Sequence, residues 1–283
     1  MAYGEVGTEA LRAENINKMV RIFAEPKFVL KQVCMTSASG AWRESYYRES
    51  DLVMTAATKI ARMAAFPQES PLWEKVSVDM QKAGLEVEIS HEDVLTDNIP
   101  VITRAQKKLA QAIVKAVDAT IWNALSENRS VVNIQTVATP VNFEWDSSTR
   151  ANRNPQDQIG DAIQLLAEKN YNADTLILNP KDYINIVTND NIVGSFNSSM
   201  NSALVNGRVA NILGLKTLVS NVISADYAMV LEAKTAATYW SAEGMRTVVK
   251  YEEGIKHTVR GWEYGAVGVT DPKAICLITN TAI

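Results

Sequence analysis

The segment from Asn98 to Asn128 constrains this chain most, because its apolar pattern is long enough to fix both a conformation and a length. Ile102, Ala105, Leu109, Ile113, Ala116, Val117, Thr120, Ile121 and Leu125 recur at steps of three and four, the spacing of one face of an α-helix. Arg104, Lys107, Lys108, Gln111, Lys115 and Asp118 fall on the opposite face. Asp97 or Asn98 can cap the start, and Pro100 suits the first turn, where a missing N–H costs nothing. At ~1.5 Å per residue the helix is roughly 40 Å long, the width of an ordinary domain. A helix of that length serves as a backbone on which other elements are laid.

The 283 residues can bury a sizeable core, as one large domain or two interleaved ones. No run approaches the ~20 apolar residues that cross a bilayer. The opening MAYGEVGTEALRAEN lacks the basic-then-apolar layout of a signal peptide, so an intracellular soluble product is expected. Cys34 and Cys276 lie far apart among small or apolar neighbours and read as buried thiols. The net charge of −4, with both signs interspersed, argues against a dedicated nucleic-acid binder.

Taken in order, Thr8 followed by Ala10, Leu11, Ala13, Ile16, Met19, Val20 and Phe23 predicts a short amphipathic helix ended by Pro26, either docked or a mobile arm. Phe28 to Val33 predicts a strand. Met35 to Glu74 has no clear buried face, and segments of that length are functional or interaction loops, or insertions. Within it Trp42 to Tyr47 and Thr58 to Phe66 read as the arms of a long hairpin, punctuated by Pro67 and Pro71. Val76, Val78 and Met80, then Leu85, Val87 and Ile89, alternate as two half-buried strands joined by a turn at Lys82 to Gly84. Ser90 with Asp93 caps a short helix leading into the long one.

Beyond it, Val131 to Trp145 carries strand-like runs broken by Pro140. Asn154 and Pro155 open a helix with a stripe of Ile159, Ala162, Ile163 and Leu166. Thr175 to Leu178 is a strand leading to Asn179, Pro180 and Asp182, a cap, a proline and an acid at a helix start. Gly194 to Asn206 reads as a mobile loop. Leu215 to Ser220 and Tyr227 to Glu232 are strands, with Gly214 permitting a tight turn. The C-terminal third is nearly all strand pattern: Thr247 to Tyr251, His257 to Trp262 and Ala274 to Thr279.

Signals of catalysis are thin. His91 and His257 are the only histidines, and no serine sits in a nucleophile elbow. YGAVGV, with Gly265 and Gly268, lacks the third glycine and following helix of a dinucleotide site. Glu252 and Glu253 are strand neighbours pointing to opposite faces, so they cannot pair as acid and base. No catalytic, cofactor or metal residue is expected.

YNADTLILNPKDY (171–183), ILGLKTLVSNVI (212–223) and GWEYGAVGVTDPKAICLIT (261–279) resemble tailed-phage major capsid proteins of the Hong Kong ninety-seven fold. Leu178, Asn179 and Pro180 match the strand-to-helix turn of that family. Gly214, Leu215 and Ser220 match its glycine-leucine turn and serine-closed strand, and Asp271, Pro272, Lys273 and Ala274 match its last turn. The resemblance implies an α+β capsid fold. Its parts are an N-terminal arm at 1–25, a P-domain at 26–34 and 75–127 with the spine helix at 98–128, and an E-loop hairpin at 35–74. An A-domain at 128–236 and P-domain C-terminal strands at 237–283 complete it. The short stretch before the first strand implies that the fused scaffolding segment of some relatives is lacking, and no motif around Lys59 carries over their covalent crosslink.

The implied function is a major capsid protein assembling as hexamers and pentamers into an icosahedral shell around double-stranded DNA. Separate scaffolding and portal proteins, weak inner-surface contact with packaged DNA, assembly in the host cytoplasm and residence in the virion go with it. No cofactor and no membrane partner are implied. In the E-loop, Trp42, Arg43, Glu44, Tyr46, Tyr47, Arg48, Arg62 and Phe66 mix charge with aromatics, as an inter-subunit interface does. Two other readings stay open: an encapsulin-like shell around a cargo enzyme, and a cytoplasmic enzyme with Met35 to Glu74 as its lid.

Overall fold

The computed structural model describes residues 13–24, 28–49, 60, 62, 64–66, 68, 73–96, 99–126, 134–189 and 211–282. In chain order these form α1 (Ala13–Ala24), β1 (Met35–Ala38), β2 (Arg43–Glu49), β3 (Trp73–Asp79), β4 (Gln81–Ser90), α2 (His91–Leu95) and α3 (Ile99–Ser126). There follow β5 (Gln135–Ala138), α4 (Pro155–Glu168), β6 (Thr175–Leu178), α5 (Pro180–Val187), β7 (Asn211–Ile212), β8 (Leu215–Val219) and β9 (Tyr227–Leu231). The chain closes with β10 (Ala237–Glu252), β11 (Lys256–Val269) and β12 (Ile275–Thr279). The architecture is α+β, with sheets ordered β1-β10-β11-β4 and β5-β12-β9-β6-β8-β7 and the separate pair β2-β3.

The long helix forms where its pattern requires. Ile102, Leu109, Ile113, Val117, Ile121 and Leu125 are buried, while Arg104, Lys107, Lys108, Gln111 and Lys115 are exposed. Ala116 departs from the expected face and is exposed, and the capping candidates Asp97 and Asn98 lie outside the described residues. Asp118 is the second departure, only 2% exposed. Its carboxylate accepts the backbone N–H groups of Val29, Leu30 and Lys31 at 3.0, 3.2 and 3.3 Å. Those donors are thereby taken from any sheet ladder. This corrects the strand expected over Phe28 to Val33: the segment is a run of turns, and the first strand begins at Met35.

Helix α1 is docked, not a free arm: Val20 and Ala24 are buried against α3 and β10, and Arg21 Nε donates to the Met245 carbonyl at 3.1 Å. Thr8 to Leu11 lie outside the described residues, as do residues 127–133 and the loop at 194–206. Ser90 Oγ caps α2 by accepting from the Asp93 N–H, and Asn179 Oδ1 caps α5 by accepting from Lys181 at 2.8 Å. Asn154 precedes α4 without a side-chain cap bond, so Pro155 at the first turn sets that start.

The turn expected at Lys82 to Gly84 is also corrected. Strands β3 and β4 form one extended run broken only at Met80, where the chain changes partner from β2 to β11. Met80 is buried, and its N–H donates to the Trp42 carbonyl at 3.0 Å. Gly84 is small for packing and not for turning, since a Cβ there would lie 2.9 Å from the Gly261 carbonyl oxygen.

The six-stranded sheet is apolar on both faces. Ile177, Met229, Leu231, Ile275 and Leu277 join the core around α3. Their neighbours Leu176, Leu178, Ala228, Val230, Cys276 and Ile278 point the other way and pack with Ile159, Ala162 and Leu166 of α4 and Ile186 of α5. Burial on both faces explains the continuous apolar runs of the sequence. Each such Leu or Ile stabilises by roughly 1.5–3 kcal/mol. Strand β12 lies between β5 and β9, so residues 275–279, expected beside β10 and β11, join the second sheet.

Candidate assembly surface

The hairpin β2–β3 stands apart from both large sheets, and its residues sort by strand alternation. Register runs from Arg43 opposite Asp79 to Glu49 opposite Trp73. The second arm expected at Thr58 to Phe66 is therefore corrected to β3; of that range, the described residues Ile60, Arg62 and 64–66 are not in a strand. The chosen register places opposite charges across the ladder. Arg43 makes two bonds to Asp79, at 2.5 and 3.1 Å, and Arg48 Nη2 donates to Glu74 at 2.5 Å. The Arg43 pair holds the Asp79 carboxyl below its ordinary range, although exposure keeps its contribution to stability small.

One face of the hairpin root is anchored on the four-stranded sheet. The Tyr46 ring lies 5.0 Å from that of Trp240 and over Gly268, where a Cβ would come within 2.6 Å of the ring. Burial raises the Tyr46 phenol above its usual pKa. Glu44 accepts a bond from Ser39 Oγ. Of the eight interface residues expected from sequence, Arg43, Glu44, Tyr46 and Arg48 are thus engaged within the chain.

The others point outward. Trp42 is 71% exposed, Tyr47 63% and Phe66 78%, and Arg62 is exposed. Trp42 keeps an edge contact with Tyr264 at 6.0 Å. Sequence reasoning missed Trp73, half exposed and opposite Glu49 in the pairing. The signal was present, since Trp73 opens a strand whose next two residues, Glu74 and Lys75, are charged.

The turn residues are where their chemistry requires. Leu213 and Gly214 both take positive φ, 50° and 84°, between the paired Ile212 and Leu215, a two-residue type I′ turn. Asn179 Nδ2 also donates to the Ile223 carbonyl, tying the start of α5 to the turn after β8. Asp271 Oδ1 accepts the Lys273 N–H at 3.1 Å, and Pro272 fixes the turn into β12.

Catalytic alternatives find little support in the geometry. His91 and His257 stack at 6.1 Å, beside Tyr251, with His257 held below its usual pKa by burial and by His91. Burial pushes the free thiols Cys34 and Cys276 up to about 12, far from a reactive thiolate. Among the described residues no group of three or more His, Cys, Asp or Glu could hold a metal. A cleft of about 510 Å³ lies between α3 and residues 219–222, but its one acid, Asp118, is committed to three backbone donors.

A sequence profile of the family described as Phage capsid protein matches residues 73–278. No curated protein matches the chain. Among solved structures, the capsid of cyanophage P-SCSP1u is similar with a TM-score of 0.63 at 10% identity, over 89% of this chain and 88% of that one. The mature capsid of bacteriophage PhiM1 gives 0.61 at 12% identity, over 90% and 87%. A virus-like particle from Pyrococcus furiosus gives 0.62 at 12% identity, over 94% and 98%. At these identities the likeness is one of fold.

Proposed function

This chain belongs to the phage capsid protein family, and on that premise we propose that its copies clasp one another through the β2–β3 hairpin as they close an icosahedral shell. Membership makes it a structural protein of the virion capsid that associates with itself. The finer reading has hexamers and pentamers with head-to-tail interfaces, enclosing double-stranded DNA. Separate scaffolding and portal proteins and assembly in the host cytoplasm belong to the same proposal. So does the division into arm, E-loop, P-domain and A-domain, with β12 moved to the last.

The observation that carries the clasp is the pair Tyr47 and Trp73, exposed on one face of the two strands while Tyr46 on the other face packs on Trp240 of its own chain. A two-stranded ribbon is marginally stable alone, and aromatics of this size are what an interface core uses. An encapsulin-like compartment would use the same fold, and the family match favours the virus. The double variant Tyr47→Ala/Trp73→Ala tests the clasp. It should keep the circular dichroism and thermal midpoint of the native chain while closed shells vanish from electron micrographs. Normal shells from the variant would remove the hairpin from the interface.

A further inference from the structure

The charge of the exposed face of α3 is one-sided, and the end of that face at Gln111 and Lys115 borders the cleft beside residues 219–222. Arg104, Lys107, Lys108 and Lys115 are all exposed, and no Asp or Glu occurs between Ile99 and Lys115. None of the four enters an ion pair among the described residues. At 3.6 residues per turn these four and Gln111 fall within an arc of about 100°, along about 16 Å of helix. In a chain of net charge −4, such a stripe is segregated rather than average. The acid that would neutralise it, Asp118 three residues beyond Lys115, is turned into the three backbone N–H groups of residues 29–31.

We propose that this stripe of α3 binds the sugar-phosphate backbone of duplex DNA, and so marks the side of the subunit that faces the packaged genome. The proposal rests on the capsid reading above, which supplies duplex DNA as the enclosed polyanion. Sixteen ångströms is the rise of about five base-pair steps, over which a strand presents phosphates to all four cations. The stripe holds no aromatic to stack on a base and no amide besides Gln111 to read one, so the contact is indifferent to sequence. Four phosphate contacts per subunit are weak singly, and repetition around a shell makes them add.

The test uses the full-length chain, held below its assembly concentration, and a fluorescein-labelled 30-base-pair duplex followed by anisotropy across a salt series. The native chain should bind with a slope of log affinity against log salt of about −3 to −4. Arg104→Gln/Lys107→Gln/Lys108→Gln/Lys115→Gln should lose at least tenfold in affinity at low salt and most of the slope. The equally exposed control set Lys82→Gln/Lys169→Gln/Lys216→Gln/Lys250→Gln should bind as the native chain does. Equal binding by both variants overturns the proposal, and so does a stripe variant that binds DNA normally but no longer assembles. Preference of the native chain for labelled polyglutamate over the duplex overturns it in favour of an acidic polypeptide. Electron microscopy of the native chain runs in parallel: absence of shells there counts against the capsid function, whereas the stripe stands or falls on the anisotropy.

Discussion

Gly214 and Gly265 need glycine for different reasons, and substitution separates them. Gly214 sits at φ 84° with nothing within 4 Å of a would-be Cβ, so only backbone strain opposes a side chain. Gly214→Val should cost about 1 to 3 kcal/mol in a thermal or urea melt. At Gly265 a Cβ would meet the Tyr239 hydroxyl at 2.4 Å. That hydroxyl is held in place by its 3.0 Å bond to buried Glu263, which also pairs with Lys31. Gly265→Ala should therefore cost about 1 to 3 kcal/mol by overpacking, and the Tyr239→Phe background should recover part of the loss. Asp118→Ala would leave three backbone donors without their acceptor and should cost about 2 to 4 kcal/mol, while Asp118→Asn, which keeps one acceptor oxygen, should cost less.

Asp182 links a residue to pH. Its carboxyl is pushed up to about 7 by burial, against the opposing Thr281 hydroxyl and Lys181, with Asp146 and Asp226 adding to the rise. Between the unfolded value of 3.8 and about 7, the unfolded chain has released this proton and the folded chain still holds it. The unfolded state thus binds fewer protons, and this group's contribution to stability falls as pH rises through that window. Asp182→Asn should leave the thermal midpoint nearly unchanged at pH 4 and raise stability by about 1 to 3 kcal/mol at pH 8. A midpoint difference independent of pH would contradict it.

Among the elements, sequence was most legible where period and turn chemistry agreed. The helix α3, the strand at Thr175–Leu178 and the capped start of α5 lie where apolar spacing and Asn-Pro placed them. It was least legible where a distant partner decided the outcome. The turns at 28–33 depend on Asp118, which lies about ninety positions further along. The return strand of the hairpin was chosen by charge pairing with Arg43 and Arg48, invisible until the register is known. The mixture of charge and aromatics around Trp42, Tyr47 and Arg62 suits an exposed segment, but nothing local told Tyr46 from Tyr47. Alternation settles that only once Trp240 is seen beneath Tyr46. Accordingly Tyr46→Ala should cost about 1 to 3 kcal/mol through lost ring packing, whereas Tyr47→Ala should change subunit stability by less than about 0.5 kcal/mol.

On the scale of the whole molecule, one helix joins two sheets. The inner faces of β9, β6 and β12 and the covered faces of β10 and β11 share a single core with α3 and α1. The second core lies between the six-stranded sheet and α4 and α5. Such a body, with Tyr47 and Trp73 exposed on the outer face of the β2–β3 pair, presents a contact that one subunit does not satisfy alone. The direct test is the mass and shape of what the purified full-length chain forms, by sedimentation velocity with electron microscopy of the same fractions. Rings of five or six copies, or closed shells of megadalton mass that disappear in Tyr47→Ala/Trp73→Ala, are the predicted result. A chain that stays monomeric or dimeric at high concentration, with and without a crowding agent, would contradict the account.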